Sequence, residues 1–207
     1  MIRVLIFILL SITIFYISQV NLIDYIKNKK VLVIGNSPNT NKHVFGDAID
    51  NSDYFIIRFN KCCSDKTSKM YHKYVGSRKD CLVLNVETAP YAATDCLNIY
   101  CYKKMSDIIF FPWMLLFNIH VVNMCYGFTS KLPSSGISVL NYLIQNGITP
   151  VVHGFTINQE DAHMDGKHLF EPEYNELAEL HDFDEERVIL NKWLNEKKIT
   201  TLYNELL

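Results

Sequence analysis

Apolar residues along this chain fall into two spacings. Short, β-branched-rich runs at Val31–Ile34, Tyr54–Asn60, Cys81–Asn85 and Thr149–Phe155 read as buried strands, the second and third ending on asparagine. Between the third and fourth run the spacing changes. Val139, Leu140, Leu143 and Ile144 form a helical stripe that Gly147 closes. Two more helices are predicted near the carboxyl end, at 172–180 with Pro172 in its first turn and at 184–197 with Asp182 or Asp184 as its cap. Strands alternating with helices predict an α/β, Rossmann-like domain over 31–207, with a mostly parallel central sheet flanked by helices.

The amino-terminal pattern differs from both. Val4 to Ile23 holds no charged residue, and Val4 to Ile17 is nearly all isoleucine, leucine, phenylalanine and valine. That is about the ~20 residues needed to cross a hydrocarbon core. Arg3 precedes it and no small-residue cleavage site follows, so 1–23 is expected to be an uncleaved signal anchor and 24–30 a short stem. Met105 to Met124 is also densely apolar and aromatic. Its length and the internal Pro112 favour a buried or acceptor-side wall over a second span.

At 207 residues and 49% hydrophobic, the chain suits one well-buried domain. A net charge of −2 gives no electrostatic footprint for nucleic acid. The six cysteines contain no C-x-x-C pair, which argues against a zinc framework.

The candidate chemistry gathers at strand ends. Gly35-Asn36-Ser37 follows the first strand, where open α/β sheets bind ligands, but a lone glycine there is neither a dinucleotide fingerprint nor a P-loop. Asn36, Ser37 and Asn60 are neutral groups suited to ribose or phosphate, though asparagine is also a common turn residue. Ser134-Ser135-Gly136 opens a helix, either as an anion seat or as an ordinary cap. His163, His168 and His181 stand in an acid-rich final third. Asp182-Phe183-Asp184 is formally a D-x-D, but it lacks the preceding strand of a metal-binding signature, so cap and turn use is favoured over metal.

In this order the stretches resemble the animal-type sialyltransferases, glycosyltransferase family 29. Val31–Asn60 looks like the large sialyl motif, and Gly76-Ser77-Arg78 like the turn after it. Pro133-Ser134-Ser135-Gly136 through His153-Gly154-Phe155 looks like the small motif, His168-Leu169-Phe170-Glu171 like the third, and His181 with Glu186 like the very small motif. The family joins its large and small motifs by a disulfide. Val31 and Gly147 occupy those positions here, which questions an oxidising, Golgi-type setting.

The resemblance implies a GT-A-like variant that transfers sialic acid from CMP-sialic acid to a galactose-type acceptor glycan, without a cofactor or metal. By family position His181 is the general base, and a following helix dipole disfavours its imidazolium. His168 donates to the departing phosphate. Asn36, Ser37, Asn60, Ser134, Ser135, Gly136 and Glu186 bind or orient substrate. The competing readings are a metal-dependent transferase using Asp182 and Asp184 with a diphosphate donor, and a non-catalytic CMP or sugar binder.

Overall fold

The computed structural model describes residues 6–7, 9–10, 12–13, 20–62, 68–85, 88–102, 119–123, 128–169 and 180–206. Its centre is a seven-stranded sheet built from β1 (Val31–Ile34), β2 (Phe55–Phe59), β3 (Cys81–Leu84), β4 (Leu97–Tyr102), β5 (His120–Asn123), β6 (Val151–His153) and β7 (Thr200–Thr201). The spatial order is β5-β4-β3-β2-β1-β6-β7, and all six pairings are parallel. Between residue 20 and β3 the described residues form the helices α1 (Leu22–Ile26), α2 (Gly46–Asp50) and α3 (His72–Val75). After β5 the described residues form α4 (Ser135–Gln145), α5 (Phe183–Asn195) and α6 (Leu202–Leu206).

Strand periodicity explains why β1 is apolar throughout. Val31 and Val33 face a core with Leu140 and Leu143 of α4 and Leu190 and Trp193 of α5. Leu32 and Ile34 face the opposite core with Ile49, Val75, Leu169 and Leu202. Both faces are covered, so alternation in polarity would bury charge. β2 carries one exception. Arg58 is fully buried, and its guanidinium donates to the Arg78 and Val75 carbonyls.

The predicted strands are present within a residue or two, and the helix expected to open at Ser134-Ser135-Gly136 runs Ser135–Gln145. Gly147 closes it with φ +76°. β4, β5 and β7 add to the predicted set. The 172–180 helix lies almost wholly outside the described residues, as does most of the 105–124 wall, whose described end forms edge strand β5.

The expected anchor at 1–23 also lies largely outside the described residues, and among the described residues no helix is long and apolar enough to cross a membrane. The last residues of the segment read as anchor, 20–23, and the stem after them instead belong to the folded domain. Asn21 caps α1 by accepting from the Ile23 N–H, Leu22 and Ile26 are buried, and the Val20 N–H donates to the Val121 carbonyl at 2.9 Å.

Gly76-Ser77-Arg78 sits at the edge where the strands begin. Asp50 accepts from the Ser77 N–H and hydroxyl and from the Arg78 N–H, and the Arg78 guanidinium donates to the Asp50, Ser52 and Tyr54 carbonyls leading into β2. Gly76 has φ +67°, and a Cβ there would lie 2.4 Å from Asp50 Oδ1. The motif therefore fixes the β2 entry, at the opposite end of the sheet from the candidate site.

His153 ends β6 with its ring edge-on to Phe45, 5.6 Å between centroids, and its Nε2 is buried without a hydrogen-bond partner. Burial pushes the imidazole from 6.5 down to about 4; a hydrogen bond with the Tyr74 backbone opposes this, while the Arg58 and His43 charges reinforce it. Between those two values the unfolded chain binds the proton and the folded chain does not. Stability is therefore expected to fall by about 3 kcal/mol as pH drops from 6.5 to 4. Urea titrations across that range should show the loss, and His153→Gln should flatten it.

Candidate active site

Strand order reverses beside β1, since β2 to β5 are added on one side of it and β6 and β7 on the other, with every strand still parallel. The carboxyl ends of β1 and β6 therefore flank the crevice where open α/β sheets take ligands. The Gly35 N–H donates to the His153 carbonyl at 2.7 Å, and the Ser37 N–H to the Gly154 carbonyl at 3.1 Å. The two turns touch backbone to backbone. A Cβ on Gly35 would lie 2.2 Å from the Gly154 oxygen, and Gly154 itself has φ +74°.

Side chains tie the same turns together. The Ser37 and Thr156 hydroxyls are 3.1 Å apart, and Asn39 Nδ2 donates to the Phe155 carbonyl at 2.8 Å. Asn36 Nδ2 donates to the Phe59 carbonyl at 3.3 Å, while Asn36 Oδ1 is buried without a partner. An unmet buried acceptor costs about 1–3 kcal/mol unless a donor reaches it. Phosphate oxygens only accept, so Oδ1 suits a ribose hydroxyl or a base amino group.

Asn60 follows β2 with φ +55°, and its Oδ1 is 3.2 Å from the Thr88 hydroxyl, which is also 2.7 Å from Asn85 Oδ1. Three neighbouring strands thus end in asparagine. Sequence reasoning missed Asn85 and Thr88, although the third strand visibly ends on Asn85.

The later segments fold over this edge. The Leu169 N–H donates to the Asn36 carbonyl at 2.7 Å, placing the His168–Leu169 backbone against the β1 turn. Gly136, in the first turn of α4, faces Phe155, whose Cε1 would be 2.8 Å from an added Cβ. Glu186 is buried in α5 and accepts from both the Ser134 N–H at 2.7 Å and its hydroxyl at 2.8 Å. Ser134, expected to touch substrate, thus caps α4 and engages Glu186. Glu186 likewise binds protein here, and its charge takes the anion position at the α4 start.

His181 lies just ahead of α5, its Nδ1 2.7 Å from the Leu132 carbonyl and its ring 5.7 Å from Phe183. A carbonyl can only accept, so Nδ1 carries the proton and the basic lone pair is on Nε2. Asp182 caps α5 by accepting from the Glu185 N–H at 3.0 Å. Asp184 pairs with Arg187 at 2.6 Å, and Arg187 also pairs with Asp165. The two D-x-D carboxylates are thus used as cap and ion pair. Among the described residues, no group of three or more His, Cys, Asp or Glu side chains could hold a metal ion. His163, the third histidine of the tail, is exposed, with Nδ1 3.0 Å from the Glu160 carbonyl.

The molecule is a parallel α/β domain whose switch-point crevice is lined by asparagines and serines and overlain by two histidine-bearing segments. Residues 15–118, half of the chain, match the sequence model of glycosyltransferase family 29 (sialyltransferase), and the chain belongs to that family of enzymes. Its fold is similar to the crystal structure of a mammalian sialyltransferase, with TM-score 0.68 and 18% identity over 94% of this chain and 78% of that one. A mammalian sialyltransferase in complex with Gal-β-1-3GalNAc-ortho-nitrophenol gives TM-score 0.64 and 17% identity over 93% and 78%. No curated protein sequence matches the chain.

Proposed function

We propose that the chain transfers sialic acid from CMP-sialic acid to a hydroxyl of a terminal galactose-type glycan, inverting the anomeric carbon. The observation that carries this reading is the His181–Leu132 bond, which directs a neutral imidazole's lone pair to Nε2 beside the turn that opens α4. The acceptor hydroxyl gives its proton to Nε2 as its oxygen attacks the anomeric carbon. The bond from that carbon to the phosphate oxygen breaks, and CMP leaves with the electron pair. His168, next to the β1 turn, donates to the departing phosphate, and Asn36 Oδ1 accepts from a ribose hydroxyl or the cytosine amino group. Glu186 already neutralises the α4 start, so the phosphate belongs on the His168 side, and Ser135 and Gly136 border the sugar. A single phosphate leaves less charge to offset than a diphosphate, so imidazole and amide donors suffice without metal.

The test is incubation of the chain with labelled CMP-sialic acid and mixed galactosides, with and without EDTA. Transfer that EDTA leaves unchanged is expected. CMP binding without transfer would favour a non-catalytic binder, and loss of transfer in EDTA would favour a metal-dependent enzyme. Asn36→Ala should weaken CMP binding about tenfold in calorimetry, the scale of one hydrogen bond to a buried acceptor.

A further inference from the structure

We propose that the sheet edge at which the strands begin rests on an anionic bilayer surface, so that the candidate site opens away from the membrane and serves glycans held off it. The proposal rests on reading the apolar run up to Gln19 as the membrane anchor, shorter than the expected 1–23 because Val20 and Leu22 belong to the domain, and it adds an orientation that the anchor alone does not give.

Only Ser18 and Gln19 separate the apolar run ending at Ile17 from Val20, whose N–H is bonded to Val121 near the start of β5. Leu22 is buried immediately afterwards, and Asn21 Oδ1 accepts from the Tyr142 hydroxyl in the last turns of α4, the helix end remote from Ser134. The chain then continues to Lys30, whose carbonyl accepts from the N–H of Phe55, the first residue of β2. Residues 20–30 therefore run along the edge where the strands begin, and that edge is the one the apolar run adjoins in the chain.

Exposed groups on that edge suit a bilayer interface. Tyr25, Lys27, Lys29 and Lys30 are exposed within six residues of one another. Aromatic rings and clustered lysines beside an apolar segment favour anionic headgroups. The acids on the same edge are fewer or engaged. Asp24 and Asp53 are exposed, Asp95 pairs with Lys79, Asp80 with Arg78, and Glu196 with Lys198.

Asn36, Asn60, Ser135 and His168 belong to the other end of the sheet. Strands of four or five residues separate the two edges by about 15 Å. Sugars at headgroup level are then out of reach, whereas glycans projecting from the membrane or free in solution meet the site.

The full chain, reconstituted into phosphatidylserine-containing vesicles with nitroxide headgroups, tests this with an unnatural fluorescent amino acid at position 53 or at position 167. Both positions are exposed and lie on opposite edges. Quenching several-fold stronger at 53 than at 167 is expected, and the triple change K27E/K29E/K30E should reduce it without altering transfer to a soluble galactoside. Equal or reversed quenching on vesicles that retain the protein overturns the orientation and leaves the anchor reading standing. Failure of the chain to sediment with vesicles overturns both, and leaves the transfer reaction untouched.

Discussion

His181→Ala is expected to lower kcat for sialyl transfer by about 10³-fold, within the range for loss of a positioned general base, while leaving CMP affinity essentially unchanged. The separation follows from place. His181 is held at the Leu132 carbonyl, on the α4–α5 side of the crevice, whereas the proposed nucleotide contacts are on the β1 turn. Its removal costs the proton acceptor without disturbing Asn36. Steady-state rates over a range of donor concentrations, with calorimetry of CMP, check this. An unchanged kcat would remove His181 from the mechanism. Glu186→Ala provides a contrast. It frees the Ser134 cap and loosens the junction that carries His181, so it should lower both kcat and thermal stability.

Gly154→Ala is expected to destabilise the fold by about 3–5 kcal/mol, enough to unfold much of a marginally stable domain. Two costs add. The residue has φ +74°, a conformation that side-chain-bearing residues adopt at about 1–3 kcal/mol. The new Cβ would also lie 2.5 Å from the Gly35 oxygen and 2.7 Å from Thr40 Cγ2, and neither the backbone nor a fully buried threonine can readily move aside. Urea denaturation measures the loss. Gly147→Ala is the control, because Gly147 has φ +76° but a Cβ added there would meet nothing within 4 Å, leaving conformational strain alone.

Legibility in the sequence follows local signal strength. β1, β2, β3 and β6 are buried on both faces or nearly so, and that burial makes their residues apolar apart from Arg58 and His153. β7 has only two residues, too few for a period, and its threonines are partly exposed. Leu22–Ile26 merges with the long apolar run before it, because a core helix and a membrane segment share the same composition. The roles of Ser134 and Glu186 are hidden for another reason. A serine ahead of a helix looks the same whether it meets substrate or a carboxylate 52 residues away.

The order of apolar runs determined the α/β class, and the resemblance of the motifs, with the match over residues 15–118, determined the family, since both depend on neighbours in the chain. Tertiary structure decided which polar groups protein already occupies, Ser134 by Glu186, Asp182 as a cap and Asp184 by Arg187, and which atom of Asn36 is left for a ligand. The physical reason is that a side chain's chemistry is set by its residue type, whereas hydrogen-bond satisfaction depends on partners that only folding brings within about 3 Å.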